Sequence, residues 1–290
     1  MGNNEFKNDL NADIQWKLFG TGPEMVQAFK DGRLNIGYMG LPPAIIGIAN
    51  SVPIKCIAGG HIEGTIMIAK KNFKKLNDLT NNLKKTFSQF IGKTIGVPSK
   101  GSIHDVILNH YLNEFDLSND IEIKNYGQAE FIATDMAKDL IEGGVGTPSL
   151  AVFASTILDS HLIIPAEYLW ANNPSYGIFA HENYIYDHPE LIEKFLLYHK
   201  RASYLIREKP IEAAIIISRT IKLLNQDYVR SVLEISPKYC ITLSKEYIKT
   251  TMEFVDTLYH LKYIKVRLDP KDIFFLDLVK NLHPENHHYK

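Results

Sequence analysis

Cysteine is nearly absent: Cys56 and Cys240 are the only two in 290 residues. Two thiols allow at most one disulfide, which excludes a disulfide-stapled scaffold and leaves the redox compartment open. Neither shows metal-ligand spacing to the other or to a histidine, and Cys56, in the apolar run 54–58, reads as a buried, inert thiol. Net charge is just as scarce. Lys and Arg number 32 against 33 Asp and Glu, −1 overall, so there is no electrostatic footprint for a nucleic acid or an anionic membrane. No apolar run approaches the roughly 18–20 residues that span a bilayer. A Gly-x-Ser-x-Gly elbow, a Walker loop and a catalytic cysteine setting are all missing. Gly144-Val145-Gly146 comes nearest to a dinucleotide fingerprint, but Pro148 interrupts it and Ser149 stands in place of the helix-packing glycine. The start, Met1-Gly2-Asn3-Asn4-Glu5-Phe6, is polar, lacks the apolar stretch of a secretory signal and fails the myristoylation pattern.

What is present has the composition of a folded soluble protein, 45% hydrophobic and 22% charged, and a length that allows one large domain or two lobes. Thr21-Gly22-Pro23-Glu24 reads as a capping box ahead of a helix that Gly32 stops. Strand signals follow at 34–39, 54–58, 65–69, 94–97, 121–126, 145–147 and 161–164, interleaved with helices that begin at Leu41, Ser102, Phe131 and Pro148. Short apolar runs between helices predict a mostly parallel sheet. One further strand, 176–180, precedes an almost wholly helical remainder, with a second capping box at Asp187-His188-Pro189-Glu190 and helices over 211–224, 227–235, 244–260 and 270–282. No repeat of fixed period is present. The prediction is an α/β protein in two lobes with a helical C-terminal third.

The strand-to-helix junctions are the first candidates for function. Gly40-Leu41-Pro42-Pro43, Ser99-Lys100-Gly101-Ser102 and Thr147-Pro148-Ser149 place small or hydroxyl residues where strands end. In an open sheet such ends gather, and helix N-termini there suit a sulfonate, carboxylate or phosphate; the alternative is that they are caps and turns. Pro42 and Pro43 lack N–H groups, so that loop would act through Ala44, Ile45 or its shape. Gly59-Gly60-His61-Ile62-Glu63-Gly64-Thr65 reads as a glycine-rich loop in which His61 and Glu63 could form an acid–base pair, bond a ligand, or be hinge polarity. Tyr38, Tyr126, Trp170 and Tyr176, at strand ends or adjoining loops, could line a cleft or pack in the core. His104 and His110 lie on different helix faces, and His283, His287 and His288 read as a solvated tail, so no metal site is expected.

Taken together, several stretches resemble the substrate-binding proteins of nitrate-, sulfonate- and taurine-type ABC transporters. They are the run Trp16 to Gly22, the helix with Gln27-Ala28-Phe29, Gly32-Arg33-Leu34-Asn35-Ile36-Gly37-Tyr38, the Leu41-Pro42-Pro43-Ala44 start, Val52-Pro53-Ile54, and Gly92-Lys93-Thr94-Ile95-Gly96-Val97-Pro98 with Gly101-Ser102. The resemblance extends over residues 14–282 and implies a type II periplasmic-binding-protein fold. Lobe I would comprise 1–67 and 181–290, and lobe II 68–180. Ligand would sit between the lobes against Gly40, Leu41, Pro42, His61, Thr65, Ser99, Gly101, Ser102 and Thr147, with Tyr38 and Tyr176 as cleft aromatics. Relatives carry a strand and helix ahead of the segment matching 13–19. Here only 6–10 precedes it, so a central strand of lobe I is expected to be lacking, exposing backbone and apolar surface.

The functional expectation is a non-catalytic solute-binding component that captures a small anionic or zwitterionic compound (sulfonate, taurine, nitrate or a thiamine precursor). It would need no cofactor and no metal, and would work with a membrane permease. It would be a monomer unless a partner supplies the lacking strand. The resemblance implies an extracytoplasmic location, although this chain shows no export signal and a cytoplasmic one stays open. Two alternatives compete: an enzyme of the menaquinone or thiamine-pyrimidine pathway type on the same fold, using His61 and Glu63, and a sensory module that pairs with a receptor.

Overall fold

In a computed structural model that describes residues 5–289, helices and short strands alternate as far as residue 181, and the rest is helical. The N-terminal part contains α1 (Glu5–Leu10), α2 (Gly22–Lys30), β1 (Ile36–Met39), α3 (Leu41–Ala49), β2 (Ile54–Ile62), β3 (Ile66–Lys70) and α4 (Leu83–Ser88). Next come β4 (Thr94–Pro98), α5 (Ile103–Glu114), β5 (Glu122–Tyr126), α6 (Glu130–Ala137), β6 (Gly143–Gly146), α7 (Pro148–Ile157), β7 (Ser160–Ile164) and β8 (Pro174–His181). The helical part holds α8 (Glu182–Asp187), α9 (Pro189–Glu208), α10 (Pro210–Thr220), α11 (Gln226–Ile235), α12 (Lys245–His260), α13 (Pro270–Ile273) and α14 (Asp277–Leu282). The reading of residues 1–4 as a polar start lies outside the described residues.

The strands form two sheets, ordered β1-β8-β2 and β5-β4-β6-β3-β7. β4 runs parallel to β5 and β6, whereas β3 opposes both its neighbours and so does β8. Only the pairings of β4 with β5 and with β6 are parallel, so the expectation of mostly parallel sheets is corrected to mixed ones, because β8 and β3 each run against both their neighbours. Those two strands are where the chain enters from the other sheet: β3 follows β2 across residues 63–65, and β8 follows β7 across 165–173. All of β8 pairs in the first sheet.

One apolar core runs continuously beneath both sheets. It includes Leu41 and Ile45 of α3, Cys56 and Ile57 of β2, Met67 of β3, Val97 of β4, and Val106 and Ile107 of α5. α12 joins the two halves. Its buried Tyr247, Thr250, Thr251, Phe254, Val255 and Leu258 recur at helical spacing and seat it on α3 and α5. A fully buried Phe254 or Leu258 is worth about 1.5–3 kcal/mol each, so this stripe contributes substantially to holding the halves together.

Several local expectations are corrected. Thr21 caps α2 without its hydroxyl, and Glu24 accepts instead from Gly20 N–H at 3.0 Å, because Pro23 occupies the first turn. At the second site Asp187 ends α8, and His188 is the N-cap of α9. The helix expected over 270–282 breaks at Phe274, which bridges to Cys56 while Phe275 N–H donates to Cys56 O at 2.9 Å. The glycine-rich stretch from Gly59 is not a loop, since β2 continues through it to Ile62 with register irregularities. A Cβ on Gly60 would lie 2.0 Å from Tyr176 Cε2, and one on Gly59 2.5 Å from Thr242 O, so these glycines admit close neighbours within a strand.

Residues 13–19 form no strand, and β1 is the edge of its sheet. A cavity of about 670 Å³ lies between that segment and β1, bordered also by Tyr184, Leu191 and Phe195. Leu18 is 93% exposed beside it.

Candidate functional site

Two of the junctions singled out in the sequence, those that open α3 and α5, approach each other at the seam between the sheets. At the start of α3, a Cβ on Gly40 would lie 3.3 Å from Ser175 O and 3.5 Å from Ile103 Cβ. The β1–α3 turn, the first turn of α5 and the start of β8 thus approach so closely that a single methyl group on Gly40 would touch both neighbours. Leu41 and Pro42 are buried here. Thr65, on the crossing from β2 to β3, has its hydroxyl 3.0 Å from His104 Nδ1 in α5. Gly146 of β6 pairs with Ile66, which sets Thr147 and Thr65 at the same end of that strand pair.

The β4–α5 turn is held by a buried carboxylate. Gly101 adopts φ +82°, a left-handed conformation that favours glycine, and Ser102 caps α5 by accepting from Asp105 N–H at 3.3 Å. Asp105, 2% exposed, accepts at Oδ2 from Gly101 N–H (2.8 Å) and Tyr263 O–H (2.6 Å), and at Oδ1 from Asn109 Nδ2 (3.1 Å) and Asn125 Nδ2 (3.0 Å). Four donors around one carboxylate compensate its burial and lock the turn in shape. Burial and then Asp105 push the Tyr263 phenol well up, so it stays a donor.

Polar capacity is left over at this seam. The amides of Ile103 and His104 belong to the first turn of α5 and have no intrahelical acceptor. Thr147 caps α7 without using its hydroxyl. Ser99 Oγ is buried with no hydrogen-bond partner among the described residues. Burial lowers the His104 pKa to about 4, so its imidazole is neutral at pH 7. Amides, hydroxyls and a neutral imidazole can donate to an anionic group without a lysine or arginine.

His61 and Tyr176 flank this seam, joined to it through Gly64, whose N–H donates to Ser175 Oγ. The His61 ring stacks on Tyr239 (centroids 4.3 Å) and lies 5.9 Å from Tyr176. Its Nε2 is 3.0 Å from Ser236 O, and a carbonyl only accepts, so Nε2 carries the proton and Nδ1 is the free acceptor. Burial holds His61 at about 4, hence neutral. Glu63, at φ 56°, is bound elsewhere: Lys238 Nζ at 2.7 Å and Asn172 N–H at 2.8 Å take its oxygens. The two side chains do not bond to each other. Tyr38 stands apart, its ring against Tyr176, Phe195 and His199 and its edge, 39% exposed, on the large cavity beside β1.

His104, Asp105, Ser236 and Tyr239 were missed as site-forming residues. Each acts through a partner 39 to 178 positions away, and no local spacing announces that. Cys56 is buried and free, and burial pushes its thiol well up, as expected of an inert cysteine. The histidine tail is corrected: His283 is 5% exposed and lies against Cys240.

Two α/β halves with strand ends and helix N-termini gathered at their seam have the periplasmic-binding-protein architecture. The chain belongs to the NMT1-like family, which residues 1–221 match. It is 23% identical over 197 residues to the taurine-binding periplasmic protein of Escherichia coli, covering 66% of this chain and 57% of that protein. A putative binding protein of Brucella abortus is 23% identical over 283 residues, covering 93% and 82%. The fold matches the periplasmic aliphatic sulphonate binding protein SsuA of Escherichia coli with a TM-score of 0.76 at 16% identity, over 93% of this chain and 85% of that one.

Proposed function

We propose that this chain is the solute-binding component of an ABC importer and captures a small anionic or zwitterionic solute of the sulfonate, taurine, nitrate or thiamine-precursor class. The observation that carries the reading is the meeting of the β1–α3 and β4–α5 turns with Thr65 and Thr147, beside the buried, unpaired Ser99 hydroxyl and the open amides of α5. Family membership and the taurine and sulfonate binders among its relatives support it. Lobe I (1–67 and 181–290) and lobe II (68–180), with the cut best drawn at the crossings 63–65 and 165–173, would close on the solute. The closed form would then dock on a membrane permease from the extracytoplasmic side, as a monomer.

Capture and release require no covalent step. His61 and Glu63, the pair an enzyme would have used, are each committed to other partners. Calorimetry against taurine, alkanesulfonates, nitrate, carboxylates and aminopyrimidines is the test. Saturable one-to-one binding of one class is expected, and no binding by any member overturns the reading.

A further inference from the structure

The C-terminal segment after α14 folds back over β2 instead of trailing into solvent. Tyr289 O–H donates to Cys240 O (2.7 Å) and Thr242 O (2.9 Å), and Cys240 N–H donates to Gly60 O (3.1 Å). This return brings together three side chains 43 and 48 positions apart. Cys240 Sγ lies 3.5 Å from His283 Nε2 and 3.7 Å from His288 Nδ1, and the two nitrogens are 3.2 Å apart.

Those three separations are the edges of a tetrahedral face. With Zn–S near 2.3 Å and Zn–N near 2.0–2.1 Å, tetrahedral angles place sulfur and nitrogen about 3.6 Å apart and two nitrogens about 3.3 Å apart. The outer contacts agree. His283 Nδ1 lies 3.1 Å from Glu285 O, an acceptor, so Nδ1 carries the proton and the Nε2 lone pair points at the cluster. The backbone N–H of His288 donates to Cys240 Sγ at 3.5 Å, a contact that stabilises a thiolate. All three residues border a cavity of about 200 Å³, which gives a fourth ligand such as water room to bind. Ser203 borders it too, and its buried hydroxyl has no partner among the described residues.

We propose that Cys240, His283 and His288 bind one divalent metal ion, with zinc the best fit, and that the ion clasps the C-terminal tail onto the lobe that carries β2. A thiolate with two neutral imidazoles is a borderline-soft set that suits zinc over magnesium or calcium. On binding, the Cys240 thiol loses its proton to solvent and a sulfur–metal bond forms, with no change of oxidation state. The site is separate from the solute seam, so it stands or falls independently of the proposed transport role.

The test uses the full chain without a histidine tag, reduced, stripped by chelator and titrated with Co²⁺. One equivalent should bring up a thiolate-to-cobalt charge-transfer band and the intense visible bands of four-coordinate cobalt. Zn²⁺ should then displace it and raise the Tm. Cys240→Ser should abolish the charge-transfer band, and Cys56→Ser should leave it. His288→Gln, in the half-buried tail, guards against a Cys240 variant that fails to fold. It should weaken binding by about a hundredfold, since even outer contacts to a metal site are worth about 10–100-fold. The proposal is overturned if no charge-transfer band appears, if the band survives Cys240→Ser, or if His288→Gln binds as wild type. A zinc-independent Tm also overturns it.

Discussion

Replacing Asp105 with Asn tests whether the turn below the seam depends on a charged acceptor. The substitution keeps shape and volume but turns one oxygen into an NH₂ donor. If that donor faces the Oδ1 side, it meets Asn109 Nδ2 and Asn125 Nδ2, which also serve Asp105 O and Pro98 O and cannot flip without losing those bonds. If it faces the Oδ2 side, it meets Gly101 N–H, which cannot reverse, and Tyr263, which can turn its hydroxyl at the expense of its own bond. Either way about two hydrogen bonds to a charged group are lost, each worth about 1.5–3 kcal/mol, so destabilisation of about 3–5 kcal/mol is expected. At about 2 °C per kcal/mol for a chain of this size, Tm falls by about 6–10 °C. Urea unfolding should show a lower midpoint at an unchanged slope. Tyr263→Phe alone should cost about 1–2 kcal/mol, and much less in the Asp105→Asn background, because both changes remove the same contact. An Asp105→Asn variant within about 1 kcal/mol of wild type, or strict additivity with Tyr263→Phe, would refute the reasoning.

Other outcomes follow from the same geometry. Ser99→Ala removes a buried hydroxyl that has no partner, so stability should hold or rise while calorimetric affinity for the bound solute falls about tenfold; a loss of stability with unchanged affinity contradicts that role. Gly60→Ala puts a Cβ 2.0 Å from the Tyr176 ring, which is wedged between Tyr38 and His61, and should cost about 1–3 kcal/mol in urea unfolding, partly recovered by Tyr176→Ala. His61, His104 and His199 are held at about 4 by burial, so below pH 6.5 the unfolded chain takes up protons that the native chain refuses. Stability therefore falls with pH through the window 6.5 to about 4, by up to about 4 kcal/mol at pH 5.5, and His104→Gln should flatten the decline by about a third; a level Tm between pH 7 and 5.5 counts against it.

Local chemistry in the sequence was enough for the alternation of elements and for the turns themselves. Ser102 caps α5 as its spacing with Asp105 indicated, and Leu41 and Pro148 open helices where the prolines placed them, because caps and φ restrictions act over three or four residues. The resemblance in 14–38 and 92–102 carried the fold class and the set of junctions. Tertiary structure alone decided the rest. Asp105 becomes a hub only when Tyr263 arrives from 158 positions away, and His61 loses its freedom to Ser236 from 175 positions away. The tail histidines show the limit most clearly. His283 and His288 lie in a stretch as polar as any solvated end, yet the return of Tyr289 to β2 carries them to Cys240. Hydrophobic periodicity reports which face of an element is buried, whereas meetings between distant side chains are set by how whole elements pack, and that is where the chemistry of this protein resides.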